Sequence, residues 1–267
     1  MSDNYVHGYS PEEQQRLVEQ SERWNELIPH GLNYQAGQSV LEIGCAAGTT
    51  LGILAQQFPG IKLAGIDFNA EQINFATQHL TELGLSADLR IEDANHLSWE
   101  DESFDHIFIM WFVEHLDEPL GVLAEASRVL KPGGSISLIE TDYSSYQVAP
   151  RSADYDCLNQ SLCQLFDLSG NAVIGREIGA LLHQAGFSQV INEVYPLHFI
   201  AGTQAEELRS HVEYTLEFIE PMIPDMVEKL NADQRTLEQG VAHLRSISAR
   251  ENGALSHLIY KAIGIKQ

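Results

Sequence analysis

The first half of the chain alternates short apolar segments with amphipathic ones, and this alternation most restricts the folds it can adopt. Segments rich in Val, Ile and Leu predict buried strands, whereas the segments between them carry apolar residues at helical spacing. Strands that follow one another through helices must run parallel, with helices covering both faces of the sheet. The sequence therefore predicts an α/β protein with a doubly wound, mostly parallel sheet of seven strands.

The element boundaries follow from the same patterns. The predicted strands are Ser39–Ile43, Lys62–Ile66, Asp88–Ile91, His106–Trp111, Ser135–Glu140, 187–199 and Ala254–Ile263. The predicted helices are 11–29, Thr49–Phe58, Ala70–Leu83, Pro119–Leu130, 152–168 and 176–186. Lys131, Pro132, Gly133 and Gly134 predict a turn before the fifth strand.

The segment 205–248 is largely helical and too long for an ordinary connection, so it predicts a helical cap over one end of the sheet. The 267 residues suit one domain with an insertion of this kind. We divide the chain into an N-terminal lid and helix (1–37), a ligand-binding α/β core (38–200), a helical insertion that caps the site (201–250) and the last strand of the sheet (251–267).

The charge balance excludes several classes of partner. Lys and Arg number 15 against 38 Asp and Glu, a net charge of −23 that opposes binding to nucleic acid or anionic lipid. Three cysteines without a CxxC pair and histidines without metal-ligand spacing predict neither a disulfide framework nor a metal site. No signal peptide or membrane-spanning run is visible, so a cytoplasmic location is expected.

The strongest local signal is the segment from Val40 to Thr49, an apolar strand that enters a turn of small residues and opens a helix. Such a turn lets a ligand approach the backbone closely at the carboxyl end of a strand. The dinucleotide fingerprint needs glycine at its first, third and sixth positions, which here are Gly44, Ala46 and Thr49. Only one of the three is met, so a pyrophosphate site is disfavoured.

Five motifs in order carry a family resemblance. They are Glu42-x-Gly44-x-x-x-Gly48, Gly65-Ile66-Asp67, Glu92-Asp93-Ala94, Ser103–Ile107 and Arg128–Gly134. This series resembles the class I S-adenosylmethionine-dependent methyltransferases, firmly over residues 38–143. Residues 5–9 and the pair Gly175-Arg176 are similar to small-molecule methyltransferases within that class. Ala46 departs from the family motif, which has a glycine there. The resemblance implies S-adenosyl-L-methionine as cofactor.

Asp67 ends the second strand, where a carboxylate can accept hydrogen bonds from both ribose hydroxyls of a nucleoside. Phe68 could pack on adenine or be a rim aromatic, and Gln72 could face the ribose. The resemblance implies that Asp93 and the Ala94 backbone read the adenine ring, although Asp93 could instead cap a turn. The expected cofactor residues are Tyr5, Glu42, Gly44, Cys45, Ala46, Gly48, Asp67, Phe68, Gln72, Asp93, Ala94 and Trp111.

The expected transfer site lies where the fourth and fifth strands end. The candidates for a catalytic base, there and in the N-terminal segment, are His115, Glu114, His7 and Glu140. The residues expected to contact the substrate are Tyr9, Phe112, Tyr143, Tyr214 and Phe218. Tyr5, His7 and Tyr9 are expected to fold over the cofactor as a lid, with a frayed terminus as the alternative. The remaining histidines, His211 and His257 among them, are expected to be solvated or structural.

The sequence thus predicts a methyltransferase that moves a methyl group to an O, N or C nucleophile of a small molecule by in-line displacement. A nicotinamide-dependent oxidoreductase and a non-catalytic nucleoside-binding protein on the same fold stay open as alternatives. The expected partner is a small-molecule acceptor, with neutral or cationic acceptors favoured by the acidic composition. No nucleic acid or membrane partner is expected, and the chain is expected to be a monomer or homodimer.

Overall fold

The computed structural model describes residues 23–267, and its centre is a seven-stranded sheet of order β3-β2-β1-β4-β5-β7-β6. The strands are β1 (Ser39–Ile43), β2 (Lys62–Asp67), β3 (Ala87–Ile91), β4 (Phe104–Met110), β5 (Leu130–Ala149), β6 (Ser188–Ile200) and β7 (Ala254–Ile265). Strands β1 to β5 pair in parallel, while β7 runs antiparallel between β5 and β6. The predicted α/β, mostly parallel, seven-stranded fold is confirmed.

Eight α-helices connect and cover these strands within residues 23–267. They are α1 (Thr49–Gln57), α2 (Ala70–Glu82), α3 (Pro119–Val129), α4 (Ala153–Phe166), α5 (Ile178–Gln184), α6 (Ala205–Ile219), α7 (Ile223–Leu230) and α8 (Gln234–Ser246). Polar side chains begin several of them: Asn69, for example, accepts hydrogen bonds from the amides of Glu71 and Gln72 at the start of α2. None of the helices in the described residues is long and apolar enough to cross a membrane.

The fifth strand differs most from its predicted bounds. It begins at Leu130 and includes the predicted turn 131–134, because Leu130 pairs with Phe104 and Ser135 pairs with His106. The extra residues bulge between these two pairs, with Gly133 at a positive φ of 78°. The strand also continues to Ala149, beyond its predicted end at Glu140. Polar residues interrupt the apolar strand pattern after Glu140, but Gln147, Val148 and Ala149 still pair with β7.

The two largest of the four hydrophobic clusters in residues 23–267 connect the helices to the sheet. One packs α3 and α5 against the central strands, with Leu123, Ala126 and Leu182 fully buried. The other joins α4, α6, α7 and α8 to the far end of β5. Most of the helix predicted at 11–29 lies outside the described residues. The part that is described is tied to the sheet by the buried Lys261, whose Nζ donates to the carbonyls of Leu27 and Ile28 at 3.0 and 2.8 Å.

Candidate functional site

The turn after β1 has the backbone shape that its small residues permit. Gly44, Ala46 and Gly48 have φ angles of 76°, 39° and 71°, in the left-handed region. The amides of Gly44 and Cys45 both donate to the carbonyl of Ile66, at 3.0 and 2.8 Å, which fixes the turn to the end of β2. The turn therefore lies at the carboxyl edge of the sheet, where ligands bind in folds of this kind.

Gly44 is the most constrained residue of this turn. A Cβ placed on it would lie 2.5 Å from Cδ2 of Phe112, in addition to the strain of its left-handed backbone. We expect Gly44→Ala to lower the free energy of unfolding by about 1–3 kcal/mol in urea denaturation. Gly84→Ala is the matched control, because Gly84 has a φ of 72° with nothing within 4 Å of its Cβ position. Equal losses in the two variants would contradict the proposed clash.

Asp67 connects this turn to the start of α2. Its Oδ2 accepts a hydrogen bond from the amide of Ala46 at 3.1 Å, and its Oδ1 accepts one from the amide of Asn69 at 2.9 Å. Burial raises the pKa of this carboxyl, while the backbone donors oppose the rise. The amide of Phe68 also lies close enough to lower the pKa of this carboxyl. Asp67 thus presents a carboxylate, held by backbone amides, beside the glycine turn.

Glu42 lies one residue before the end of β1 and is almost completely buried. Its carboxyl group accepts hydrogen bonds from the Thr50 side chain and the Leu51 amide, and so stabilises the start of α1. Burial, with a smaller contribution from Asp67, raises its pKa to about 8. Its Oε2 has no hydrogen-bond partner among residues 23–267. This acid can therefore accept a hydrogen bond from a further donor.

The other residues expected to bind the cofactor differ in their burial and in their hydrogen-bond partners. Cys45 packs its side chain into the core, so only its backbone is available to a ligand. Gln72 is buried in the first turn of α2 and its Oε1 lacks a partner in the described part of the chain. Asp93 is exposed, and its Oδ1 accepts hydrogen bonds from the amide and the side chain of Asn95. This is the turn cap that the sequence offered as the alternative to a contact with adenine. Phe68 is half-buried, and Ala94 is buried.

The segment after β4 is held in place by Glu140. Its Oε1 accepts hydrogen bonds from the amides of Phe112 and Val113, at 3.0 and 2.7 Å. Glu140 is fully buried, and burial raises its pKa to about 7. Trp111, with a φ of 47°, donates from its Nε1 to Thr141 Oγ1 at 3.0 Å. Glu140 therefore positions the segment that carries Trp111, and this geometry does not support it as a base that reaches a substrate.

Glu114 and His115 extend this polar group. Tyr143 donates its hydroxyl to Glu114 Oε1 at 3.0 Å, and the carboxyl group of Glu114 also contacts that of Glu140. His115 Nε2 lies 3.5 Å from Glu114 Oε1, and burial lowers the pKa of this imidazole to about 4. His115 is thus neutral at physiological pH. Three of the expected base candidates are brought together, and Tyr143 connects them to the space beyond.

That space is a cavity bounded by aromatic rings. The cavity volume is about 20 Å³, and the space continues into open solvent. Trp111, Tyr143, Tyr214 and Phe218 line it, as expected for the transfer site. Phe112, also expected there, instead packs its ring against Gly44. Tyr5, His7 and Tyr9 lie outside the described residues.

Several lining residues were not predicted from the sequence. They are Trp24, Thr141, Tyr146, Thr215, His257 and Ile259. The one available signal was in β7, where Leu255, His257 and Ile259 occupy alternate positions on the buried face. A histidine in such an apolar alternation is a buried polar residue. His211 is likewise buried, so of the two expected environments, solvated or structural, both histidines have the buried one.

Comparison with known proteins agrees with this geometry. A family described as a methyltransferase domain matches residues 41–138. Methyltransferase GfsG of Streptomyces halstedii is 31% identical over 143 residues, which cover 52% of this chain and 51% of that protein. The ubiquinone biosynthesis O-methyltransferase of Thiobacillus denitrificans is 33% identical over 125 residues, covering 45% of this chain and 52% of that protein. This chain spans about half the length of these curated relatives.

A solved structure shares the fold. Phosphoethanolamine N-methyltransferase 2 of Haemonchus contortus, in complex with phosphomonomethylethanolamine and S-adenosylhomocysteine, aligns with a TM-score of 0.58 at 19% identity. The alignment covers 91% of this chain and 52% of that one. Residues 41–138 of this chain thus match a methyltransferase domain, and the alignment shows that the chain shares the fold of that solved structure.

Proposed function

We propose that this protein transfers the methyl group of S-adenosylmethionine to an oxygen, nitrogen or carbon nucleophile of a small molecule. The observation that carries the proposal is the left-handed turn at residues 44–48, held beside the carboxylate of Asp67 at the carboxyl edge of the sheet. The turn offers close approach to the backbone, and a carboxylate beside it can accept hydrogen bonds from the two hydroxyls of a ribose.

The rest of the edge suits the other parts of the cofactor. Gln72 and the turn at Asp93–Ala94 flank Asp67 and would hold the nucleoside, with Phe68 beside the adenine. Glu42 places a buried acid with an unpartnered oxygen behind the turn, where it would accept a hydrogen bond from the amino group of the methionine part. S-adenosylmethionine supplies an activated methyl group on a sulfonium when it is bound.

Positioning is then the main task of the protein. Holding the nucleophile in line with the methyl group can supply about 7–11 kcal/mol of the barrier, and the aromatic cavity excludes water from the transfer. If the acceptor is a hydroxyl, its proton would pass to Tyr143 Oη as the Tyr143 proton passes to Glu114 Oε1, along the 3.0 Å hydrogen bond. Glu140 and His115 support Glu114 in this arrangement.

The proposal is tested by titrating the full chain with S-adenosylhomocysteine in a calorimeter. We expect one site per chain with a dissociation constant in the micromolar range, about −8 kcal/mol. A panel of small acceptors, followed by detection of released S-adenosylhomocysteine, then tests the transfer. Absence of binding to the folded protein would refute the proposal. Protection against thermal unfolding by NAD instead would favour the nicotinamide-dependent oxidoreductase.

A further inference from the structure

Two histidines outside the predicted site form a buried pair beside the aromatic cavity. His257 lies on β7 and lines the cavity, whereas His211 lies on α6, the helix that also carries Tyr214 and Phe218. Their Nε2 atoms are 2.8 Å apart, and their exposed fractions are 2% and 1%. Tyr146 stacks on the ring of His257 with centroids 4.2 Å apart and planes 9° apart. The pair therefore joins the helical cap to the sheet at the wall of the cavity.

Both imidazoles are neutral in this environment. Burial lowers the pKa of His211 to about 3, aided by the nearby charge of Arg23, and it lowers the pKa of His257 as well. A contact of 2.8 Å between two nitrogens requires that one carries a proton and donates it to the other. Exactly one proton is therefore shared between the two Nε2 atoms.

This shared proton decides what the outer nitrogens offer. The ring that donates from Nε2 has a bare Nδ1, which accepts hydrogen bonds, whereas the other ring carries a proton on Nδ1 and donates. The pair thus has two tautomeric arrangements of equal charge, which differ in the ring that presents the acceptor Nδ1. The Nδ1 atoms of His211 and His257 are both buried without a hydrogen-bond partner in the described part of the chain. Such a buried polar atom is costly unless a ligand satisfies it.

The rest of the cavity wall restricts the ligand. Among the described residues that line it, six are Trp, Tyr or Phe and none carries a carboxylate or a positive charge. An ionic group in this space would lack a counter-ion, and burial of an unpaired charge is strongly unfavourable. Flat apolar rings, by contrast, gain stacking and burial against such walls. The cavity thus favours a neutral, ring-bearing acceptor.

We propose that His257 is the acceptor-recognition residue, hydrogen-bonding through Nδ1 to the single hydroxyl or carbonyl group of a neutral aromatic acceptor. Its pairing with His211 lets it donate or accept as that group requires. The cavity volume of about 20 Å³ is enough for about one water molecule and too small for an aromatic ring. The wall formed by Tyr214 and Phe218 must therefore move outward as the acceptor enters. The inference rests on the proposed function, because it places the acceptor beside Trp111.

The test uses four small probes on the full chain saturated with S-adenosylhomocysteine: phenol, toluene, benzylammonium and benzoate. Their binding is followed by the fluorescence of Trp24 and Trp111, which both line the cavity, and by ligand-observed NMR. We expect phenol to bind about tenfold more tightly than toluene and both charged probes more weakly than phenol. In protein labelled with ¹⁵N-histidine, phenol but not toluene should shift the Nδ1 resonance of His257.

Two variants separate recognition from a structural role. Asn places an amide atom at the position of Nδ1, whereas Gln places one at the position of Nε2, where it can still bond to His211. We expect His257→Asn to keep the preference for phenol and His257→Gln to lose it. His198→Asn, at an exposed position on the adjacent strand, is the matched control and should leave the preference intact.

Several outcomes would overturn this inference. They are equal binding of phenol and toluene, no phenol binding up to its solubility limit, tighter binding of a charged probe, or a preference that His257→Gln keeps and His257→Asn loses. Binding of S-adenosylhomocysteine is measured separately on each variant. Its loss in the unmodified chain would refute the proposed function, whereas intact cofactor binding without a phenol preference in the unmodified chain would refute only the role of His257.

Discussion

Asp67→Ala is expected to weaken the binding of S-adenosylhomocysteine by about a hundredfold. The substitution removes the acceptor for the amides of Ala46 and Asn69, and with it the carboxylate assigned to the ribose hydroxyls. Hydrogen bonds to a charged group contribute about 1.5–3 kcal/mol each, and about 2.8 kcal/mol corresponds to a hundredfold change in affinity. Calorimetric titration of the variant against the unmodified chain measures the effect.

The control for this variant is Asp88→Ala on the neighbouring strand β3. Asp88 is an exposed carboxylate that pairs with Arg90, so its loss changes the net charge equally without touching the turn. Circular dichroism and thermal unfolding show whether each variant is folded under the titration conditions. If folded Asp67→Ala bound the compound as tightly as Asp88→Ala does, the ribose would not bind at Asp67.

Glu42→Gln is expected to gain stability over the unmodified chain by an amount that grows as pH rises from about 4.5 to 8 and is constant above pH 8. The ordinary pKa of 4.5 rises to about 8 in the folded chain because the carboxyl group is buried. Between these two values the folded state holds a proton that the unfolded state has released, so stability falls as pH rises. The fall is about 1.4 kcal/mol per pH unit, or several kcal/mol across the window. Gln resembles the protonated acid and removes this loss.

Urea unfolding at one-unit steps from pH 5 to pH 9 measures this difference. Glu140, whose pKa rises to about 7, contributes a fall over part of the same window, so the comparison is between variant and unmodified chain at each pH. Glu71→Gln removes an exposed carboxylate from α2 and serves as the matched control. A difference between Glu42→Gln and the unmodified chain that stays constant over the whole range would contradict the assignment.

Local patterns predicted the core of the fold and much of the cofactor edge. The positions of Gly44, Gly48 and Asp67 follow from strand, turn and helix signals that lie within a few residues of one another. The predicted bounds of β1 are those of the structure, because an apolar run that ends in glycine has few alternatives. The extension of β5 past Glu140 was missed, since its pairing with β7 depends on residues more than a hundred positions later.

The roles of individual acids were also beyond the sequence. From the sequence, Glu140 and Glu114 are both predicted bases near strand ends. In the structure, Glu140 accepts hydrogen bonds from the amides of Phe112 and Val113 and so positions that segment. Glu114 instead accepts a hydrogen bond from Tyr143, which connects it to the cavity. Asp93 read as an adenine contact with a turn cap as alternative, and the hydrogen bonds to Asn95 show the cap. Its contact with adenine stays a prediction.

The sequence by itself determined the alternating strands and helices and the turn that faces Asp67, because these depend on backbone conformation and periodicity over short distances. Only the tertiary structure decided the aromatic cavity and the histidine pair beside it. The lining residues come from separate elements, among them Trp24, Trp111, Tyr146, Tyr214 and His257. They meet because β7 runs antiparallel between β5 and β6 and because α6 packs against the sheet. No local pattern encodes such contacts, since each residue is ordinary in its own helix or strand.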